Sequence, residues 1–240
     1  HTYTLAHIVT AKFWQNVKEN GLHLTVAETG WGIASWGKIY GQWLCGCGVM
    51  VYDFDIFSPE KLLKVIEDFK VTSFCAPPTV YRYFIKKDMK KFDLSHLEHI
   101  TTAGEALNPE VFEQVHKQTG LQIMEGFGQT ESVLMLGNLV GSTAKIGSLG
   151  KPTPLYNIMI ADNEGNRLPA NEVGEIVVIP SENQHGIFMD YCGNEDLYAN
   201  VWKYGIYHTG DTAYMDDDGY YWYVGRFDDL IKTRGSRVGR

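Results

Sequence analysis

The amino-acid sequence predicts an α/β protein, with a parallel-sheet α/β subdomain followed by a smaller antiparallel β-barrel subdomain. In residues 1–140, short β-rich segments alternate with helical segments, an order that favours parallel strands with right-handed crossovers. After residue 141, strand segments instead flank short acidic turns that contain glycine, which is typical of antiparallel hairpins. With 240 residues, of which 44% are hydrophobic, the chain is long enough to bury a core.

The elements of the first half follow from local patterns. Residues 33–44 are predicted to form a buried helix. Ser58 suits the cap of the next helix, because its hydroxyl oxygen can accept a backbone N–H, and Pro59 suits the first turn. Asn108 opens another helix, and Gly120 ends it. Strands are predicted at residues 22–26, 49–52, 71–76, 99–102 and 121–127.

Two loops follow predicted strands of the first half. Residues 103–107 follow one strand, and residues 126–131 follow the next. Parallel strands end at the same edge of a sheet, and ligands bind beyond that edge. We therefore expect both loops to face one crevice.

The second half is predicted to be antiparallel. Its predicted strands are residues 156–161, 174–179, 204–214 and 220–224. The turns 162–165 and 216–219 join these strands in pairs. The predicted domains are therefore residues 1–140, residues 141–224, and a basic, glycine-containing linker at residues 225–240.

Charge and composition exclude several functions. Lys and Arg number 21 against 29 Asp and Glu, so the net charge of −8 argues against a nucleic-acid surface. The longest apolar run, residues 43–52, is far shorter than the roughly 20 residues that span a bilayer. Four scattered cysteines predict reduced thiols, and we see neither a glycosylation sequon nor a signal peptide. We expect a cytoplasmic protein without a membrane span, and a homo-oligomer is compatible with this composition.

Residues 126–131 have two interpretations when spacing alone is considered. Their glycines let the backbone approach a ligand, Thr130 supplies a hydroxyl, and Glu131 supplies a carboxylate for a hydrated metal ion. A polar turn after a buried strand explains the same residues equally well.

Asp211 and the cations near the end of the chain also have two interpretations each. Asp211 can accept both hydroxyls of a ribose. It can also cap a loop, and spacing alone favours the cap. Guanidinium groups suit phosphate oxygens, and a solvated linker is the alternative for the cations Arg226, Lys232, Arg234 and Arg237.

Five motifs occur in one order along almost the whole chain. They are AGEALNP at residues 103–109, GFGQTE at 126–131, GSLGKP at 147–152, YHTGD at 207–211 and GRFDDLIK at 225–232. In this order they resemble the motifs of the adenylate-forming superfamily, which includes acyl-CoA synthetases, aryl-CoA ligases and peptide-synthetase adenylation domains. Medium-chain acyl-CoA synthetases are the branch that the chain resembles most. The resemblance implies that the chain is an incomplete form of the large N-terminal domain of such an enzyme.

The resemblance implies an ATP site. Glu131 would hold Mg²⁺, and Thr130 would contact the α-phosphate or the acyl carboxylate. Asp211 would bind the ribose hydroxyls, and Arg226 the ribose or the phosphates. The other residues implied to contact ATP or AMP are Gly104, Glu105 and Ala106 on the adenine side, with Gly126, Phe127, Gly128, Gln129 and Arg237.

The resemblance also implies a hinge, a CoA site and an acyl pocket. Asp228 occupies the hinge position about which a small C-terminal domain would rotate. Trp31 resembles a wall of the acyl pocket. Contacts with CoA are implied for Arg234, Gly235 and Ser236.

Gly128 departs from the acetate-specific relatives, in which a Trp commonly fills this position. A glycine there would leave the acyl pocket open. We therefore predict an acyl chain longer than acetate, or an aromatic acid.

The implied function is that of an acyl-CoA synthetase that uses ATP, Mg²⁺ and CoA. A small carboxylic acid and ATP would give an acyl-adenylate and pyrophosphate, and CoA would then displace AMP. The family's phosphate loop would lie upstream of His1 and its C-terminal domain downstream of Arg240, so we expect a central fragment that does not turn over alone. Two alternatives stay open: an aryl- or amino-acid adenylation domain that loads a carrier protein, and a degenerate nucleotide-binding module without catalysis.

Overall fold

Two β-sheets organise the part of the chain that the structure describes. The structure is a computed structural model, and it describes residues 2–182, 184–226, 231–233 and 236–238, the last two ranges as backbone only. One sheet has seven strands and the other has four, and a short antiparallel pair follows them. That pair consists of β12 (Ile231–Thr233) and β13 (Ser236–Val238).

The seven-stranded sheet has the order β2-β1-β3-β4-β5-β6-β7. Strands β1 to β5 pair in parallel, as the alternation of strands and helices predicts. Strands β6 and β7 extend the sheet in antiparallel orientation. The strands are β1 (Leu22–Thr25), β2 (Gly48–Met50), β3 (Ser73–Cys75), β4 (His99–Ala103), β5 (Ile123–Gly128), β6 (Leu134–Gly137) and β7 (Lys151–Pro152).

Two of the predicted helix caps are confirmed. Ser58 Oγ accepts the backbone N–H of Lys61 at 3.3 Å, and Asn108 Oδ1 accepts that of Glu110 at 2.8 Å. Gly120 ends its helix in the left-handed conformation, with φ 76°. The helices are α1 (Thr2–Val9), α2 (Gly32–Lys38), α3 (Gly41–Leu44), α4 (Pro59–Asp68), α5 (Pro78–Phe84), α6 (Pro109–Thr119) and α7 (Glu195–Val201).

The single helix predicted over residues 33–44 is wrong, because α2 and α3 are separate helices. The chain turns between them so that Gly41 packs on the backbone of α1, where a Cβ at Gly41 would lie 2.3 Å from the carbonyl oxygen of His7. The amide of Gln42 then donates to the carbonyl oxygen of Trp36 at 2.8 Å. A tertiary contact therefore replaces the helical hydrogen bonds at the break.

The second half forms an antiparallel sheet of four strands, in the order β11-β10-β9-β8. This order leaves β8 and β11 at the edges, so the described strands form an open sheet. A bridge between Gly150 and Tyr221 connects it to the end of the first sheet. The strands are β8 (Asn157–Ala161), β9 (Gly174–Ile179), β10 (Tyr207–Met215) and β11 (Tyr221–Arg226).

Each sheet has its own hydrophobic core. One cluster packs α4, α5 and α6 against β1, β3 and β4, with Leu62, Phe74 and Phe84 fully buried. The other packs the face of the four-stranded sheet, with Ile176 and Tyr207, against β6. In the described ranges, no helix is both long and apolar enough to cross a membrane.

Buried histidines make the stability of the fold dependent on pH. His7 and His23 are both fully buried, and burial lowers the pKa of each imidazole to about 3. An unfolded histidine has a pKa of about 6.5, so below that pH the unfolded chain binds protons that the folded chain does not bind. Stability is therefore lost as the pH falls from 6.5 towards 3. At pH 5 each histidine destabilises the fold by about 2 kcal/mol relative to pH 7.

Replacing His7 by phenylalanine is expected to reduce the stability lost between pH 7 and pH 5 by about 2 kcal/mol. Phenylalanine retains the stacking of His7 on Tyr40, whose ring centroid lies 5.4 Å away. Urea unfolding at both pH values measures the effect, and the exposed His96→Gln is the control that keeps the wild-type loss. Burial raises the pKa of the Glu125 carboxyl to about 7, so this group changes stability with pH in the opposite direction. Its contribution is the same in the wild type and in both variants, so it cancels in the comparison. An unchanged loss in His7→Phe would contradict the account.

Candidate nucleotide and substrate site

A cavity of about 860 Å³ lies at the carboxyl edge of the parallel sheet. Both motif loops line it, which confirms the prediction that they face one crevice. Strands β10 and β11 and helix α5 close its other sides. The lining residues are Thr79, Arg82, Tyr83, Lys86, Gly104, Glu105, Ala106, Gly126, Phe127, Gly128, Gln129, Leu149, Asp211, Tyr223, Gly225 and Arg226.

The pairing of β4 with β5 brings the two loops together. Ala103 pairs with Gly126 in parallel register, so the residues that follow them leave the sheet side by side. Gly104 has a φ of 93°, a backbone conformation that side chains with a Cβ rarely adopt, and it turns the first loop over the cavity.

Asp211 is a buried carboxylate at the side of the cavity formed by the antiparallel sheet. Only 2% of the residue is exposed. Its Oδ2 accepts from Gln129 Nε2 at 2.7 Å and from Arg226 Nη1 at 3.3 Å, and its Oδ1 accepts from the Tyr223 hydroxyl at 3.2 Å. Such donors stabilise the charged form of a carboxylate that water no longer solvates.

The segment 207–211 forms part of a strand, whereas the sequence interpretation placed Asp211 behind a tight glycine turn. β10 runs through it with a bulge opposite β9, and Gly210 occupies the bulge with φ 69°. The N–H of Gly210 donates to Glu175 Oε1 at 2.7 Å, which fixes the bulge. A Cβ at Gly210 would lie 3.0 Å from Arg226 Nη2, so glycine gives the guanidinium room.

Gln129 joins the second motif loop to β10. Its amide nitrogen donates to the carbonyl oxygen of Thr209 and to Asp211, both at 2.7 Å, and its amide oxygen accepts from the Tyr207 hydroxyl at 2.7 Å. The side chain therefore orients the Asp211 carboxylate. Sequence reasoning placed Gln129 among the ATP-contacting residues and missed this role.

Helix α5 contributes a wall that sequence reasoning missed. Arg82 Nη2 donates to Glu105 Oε2 at 2.7 Å, and the Thr79 hydroxyl donates to the same oxygen at 3.2 Å. The sequence signal that could have identified this wall is the position of Pro77 and Pro78 directly after a buried strand. A helix that begins there must point its first turn at the same edge of the sheet.

The Glu131 carboxylate accepts a hydrogen bond from a residue that lies far away in sequence. The Tyr191 hydroxyl donates to Glu131 Oε1 at 2.8 Å. Burial, and then the hydrogen bond to Glu131, raises the pKa of Tyr191, so its hydroxyl stays protonated as a donor. The described residues include no group of three carboxylate, imidazole or thiol ligands. A single carboxylate of this kind fits Mg²⁺, which commonly takes one or two protein carboxylates together with water and substrate phosphates.

Thr130 and Trp31 are not among the described residues that line the cavity. Thr130 is exposed, and its carbonyl oxygen accepts from the Tyr3 hydroxyl at 3.1 Å. Trp31 is partly exposed at the N-terminus of α2. A Cβ at Gly32 would lie 3.2 Å from Thr130 Oγ1, so the start of α2 packs directly on the motif loop.

The volume that a side chain at residue 128 would occupy is filled, which corrects the idea that this glycine leaves a pocket open, although the Gly128 backbone itself lines the cavity. A Cβ at Gly128 would lie 2.5 Å from the carbonyl oxygen of Val133 and 2.6 Å from Cη2 of Trp36. The Trp36 side chain packs against the strand where the absent side chain would project. The predicted preference for longer acids therefore has no support from an empty volume at residue 128.

Part of the predicted site lies outside the described residues. Asp228, Arg234 and Gly235 are in this group. Ser236 and Arg237 lie in β13, whose backbone alone is described. Their implied contacts with CoA and phosphate, and the hinge role of Asp228, stay predictions.

A cavity at the carboxyl edge of a parallel sheet, closed by glycine-containing loops, is typical of α/β domains that bind nucleotides. Residues 1–188 match a family model described as AMP-binding enzyme. The chain belongs to this AMP-binding enzyme family. Its fold accordingly matches the N-terminal domain of adenylate-forming enzymes.

Several relatives are acyl-CoA synthetases. The mouse protein "Acyl-coenzyme A synthetase ACSM3, mitochondrial" is 38% identical over 244 residues, which cover 100% of this chain and 42% of that protein. Human "Acyl-coenzyme A synthetase ACSM4, mitochondrial" is 38% identical over 229 residues, covering 95% of this chain and 40% of that protein. The chain thus spans less than half the length of these relatives.

Two solved structures share the fold over 99% of this chain. One is the anthranilate CoA ligase AuaEII in complex with anthranoyl-AMP, with a TM-score of 0.87, 28% identity and 45% of that chain covered. The other is an acyl-CoA synthetase of Brucella canis, with a TM-score of 0.80, 26% identity and 44% of that chain covered.

Proposed function

We propose that the protein that carries this chain is an AMP-forming acyl-CoA ligase. The observation that supports this most strongly is the Asp211 network, which unites the second motif loop with β10 and β11 at one cavity. The relatives are named acyl-CoA synthetases, and one structural neighbour contains an acyl-type adenylate, anthranoyl-AMP. A medium-chain or aromatic carboxylic acid is the proposed substrate.

Different residues of the cavity and its motif loops would bind different parts of ATP. The loop Gly104–Ala106 and the Phe127 backbone would enclose the adenine, and the Asp211 carboxylate would accept the ribose hydroxyls. Arg226, beside Asp211, would face the ribose or the phosphates. Thr130 would hold the α-phosphate next to the acid. Holding both reactants in one geometry converts a bimolecular step into a unimolecular one.

The chemistry consists of two displacements. A carboxylate oxygen of the acid attacks the α-phosphorus of ATP, and the bond to the bridging oxygen breaks to release pyrophosphate. The thiolate of CoA then attacks the acyl carbon, and AMP leaves with the electron pair. Mg²⁺ would neutralise charge on the phosphates, with Glu131 as its protein ligand and Tyr191 orienting that carboxylate.

The cellular site and assembly state are proposed on composition alone. We propose a cytoplasmic protein with no nucleic-acid partner. The relatives' names place those proteins in mitochondria, so they give the cytoplasmic assignment no support. A homo-oligomer stays compatible with the sequence.

Pyrophosphate release by the whole gene product tests the proposal. ATP and Mg²⁺ are supplied with carboxylic acids from acetate to decanoate and with benzoate, in the presence and absence of CoA. We expect release that peaks with medium-chain or aromatic acids, together with formation of the CoA thioester. Release without thioester would identify an adenylation enzyme that loads a carrier protein. No release with any acid would identify a degenerate binding module.

A further inference from the structure

We propose that Arg82 of helix α5 is a positioning residue for the nucleotide site. It holds the Glu105 carboxylate, and through Glu105 it holds the first motif loop (residues 103–107) in the shape that receives adenine. The inference rests on the proposed function, because it concerns the adenine loop of the same site. It gives a role to α5, which lies outside the five sequence motifs.

Strand β5 holds the first motif loop at its two ends. Ala103 pairs with Gly126 in the sheet. At the other end, the N–H of Leu107 donates to Glu125 Oε1 at 3.1 Å. Glu105 lies midway between these two attachments, so contacts of its side chain can set the position of the middle of the loop.

Helix α5 binds the Glu105 carboxylate through two residues that lie one helical turn apart. Arg82 Nη2 donates to Glu105 Oε2 at 2.7 Å, and the Thr79 hydroxyl lies 3.2 Å from the same oxygen and 3.3 Å from Oε1. Arg82 Nη2 also donates to the Thr79 hydroxyl oxygen at 2.6 Å. Each of the three side chains therefore contacts the other two, and the guanidinium supplies the positive charge opposite the carboxylate.

The two charges of this ion pair differ in exposure. The Glu105 side chain is 15% exposed, whereas that of Arg82 is 47% exposed, and both residues line the cavity. A carboxylate that is largely withdrawn from water needs its hydrogen-bond donors. Loss of the guanidinium would therefore let Glu105 turn towards water and move the loop with it. Because Arg82 is half exposed, its replacement should leave the fold intact.

Calorimetric titration of the whole gene product with ATP and with AMP tests the proposal. Arg82→Met removes the guanidinium donors and retains an unbranched side chain. We expect it to raise the Kd of both nucleotides equally, by about fivefold, because both carry the same adenine and a partly exposed ion pair is lost. The KM for the acid should stay unchanged. Arg82→Lys, which retains the charge, should restore most of the affinity.

Glu105→Ala separates positioning from direct contact between Arg82 and the nucleotide. If Arg82 acts through Glu105, Arg82→Met should have no further effect on either Kd in a Glu105→Ala background. An undiminished effect of Arg82→Met in that background would overturn the proposal. A larger loss of affinity for ATP than for AMP would also overturn it, because Arg82 would then act on the phosphates.

Lys87→Met is the matched control. It breaks the ion pair of Lys87 with Glu60, 2.5 Å long, whose cation is about as exposed as Arg82 and which lies outside the cavity lining. Both Kd values should stay at the wild-type level. Unchanged Kd values in folded Arg82→Met, or an equal rise in Lys87→Met, would overturn the proposal.

The ligase function is tested separately by acid-dependent pyrophosphate release from the wild type. Nucleotide binding that depends on Arg82 without any pyrophosphate release would contradict only the proposed function. Release with unchanged Kd values in Arg82→Met would contradict only the role of Arg82. A wild type that binds neither nucleotide would overturn both.

Discussion

Replacement of Asp211 by asparagine is expected to weaken ATP binding at least a hundredfold. The substitution leaves the Arg226 guanidinium, whose side chain is only 10% exposed, beside a neutral amide. It also places an amide N–H₂ where Gln129, Tyr223 or Arg226 now donates. Each hydrogen bond from a ribose hydroxyl to the charged carboxylate is worth about 1.5–3 kcal/mol, and a loss of about 2.7 kcal/mol corresponds to a hundredfold change in affinity. Calorimetric titration of the whole gene product with ATP measures the effect.

Two further variants separate loss of binding from loss of fold. Asp217→Asn changes an exposed carboxylate that accepts from Asn171 at 3.2 Å, and it should bind ATP like the wild type. Tyr223→Phe removes one donor to Asp211 and retains the charge, so it should weaken binding only severalfold. If Asp211→Asn keeps both its melting temperature and its ATP affinity, Asp211 has no place in the nucleotide site.

Replacement of Gly128 by alanine is expected to lower the free energy of unfolding by roughly 2–3 kcal/mol, as overpacking of a filled core does. One atom that the new methyl group meets is the carbonyl oxygen of Val133, which belongs to the backbone and cannot rotate away. The other contact is the indole of Trp36, which is itself fully buried. Urea unfolding of the wild type and the variant measures the difference.

Gly30→Ala is the control for this substitution. A Cβ at Gly30 meets no atom within 4 Å, so the change should alter the unfolding free energy by less than about 0.5 kcal/mol. Equal stability of Gly128→Ala and wild type would mean that the space beside residue 128 is open. That result would restore the sequence-based explanation for longer acids.

Elements with local signals were predictable from the sequence. The caps at Ser58 and Asn108 and the glycine stop at Gly120 each depend on residues within one helical turn. The parallel order of the first sheet follows from the alternation of strand and helix, and the meeting of the two motif loops follows from their position after parallel strands. The break between α2 and α3 was not predictable, because it depends on contact between Gly41 and α1.

In the site, too, local signals were predictable from the sequence and long-range contacts were not. The motif order identified Asp211 and Gln129, but the hydrogen bond between them joins residues 82 positions apart. Tyr191 meets Glu131 across 60 positions, and no spacing rule connects them. The error at Gly128 has the same origin: a glycine shows that a side chain is absent, whereas the packing of distant elements decides whether space remains.

Hydrogen–deuterium exchange with and without AMP tests the central claim that both motif loops and β10 form one adenine-nucleotide site. Performed on the whole gene product, it should show AMP-dependent protection of residues 104–106, 126–131 and 207–211 together. The control peptide is α4 (Pro59–Asp68), which lies outside the cavity lining and should exchange equally in both states. Protection absent from all three segments at saturating AMP, or confined to other parts of the protein, would contradict the account.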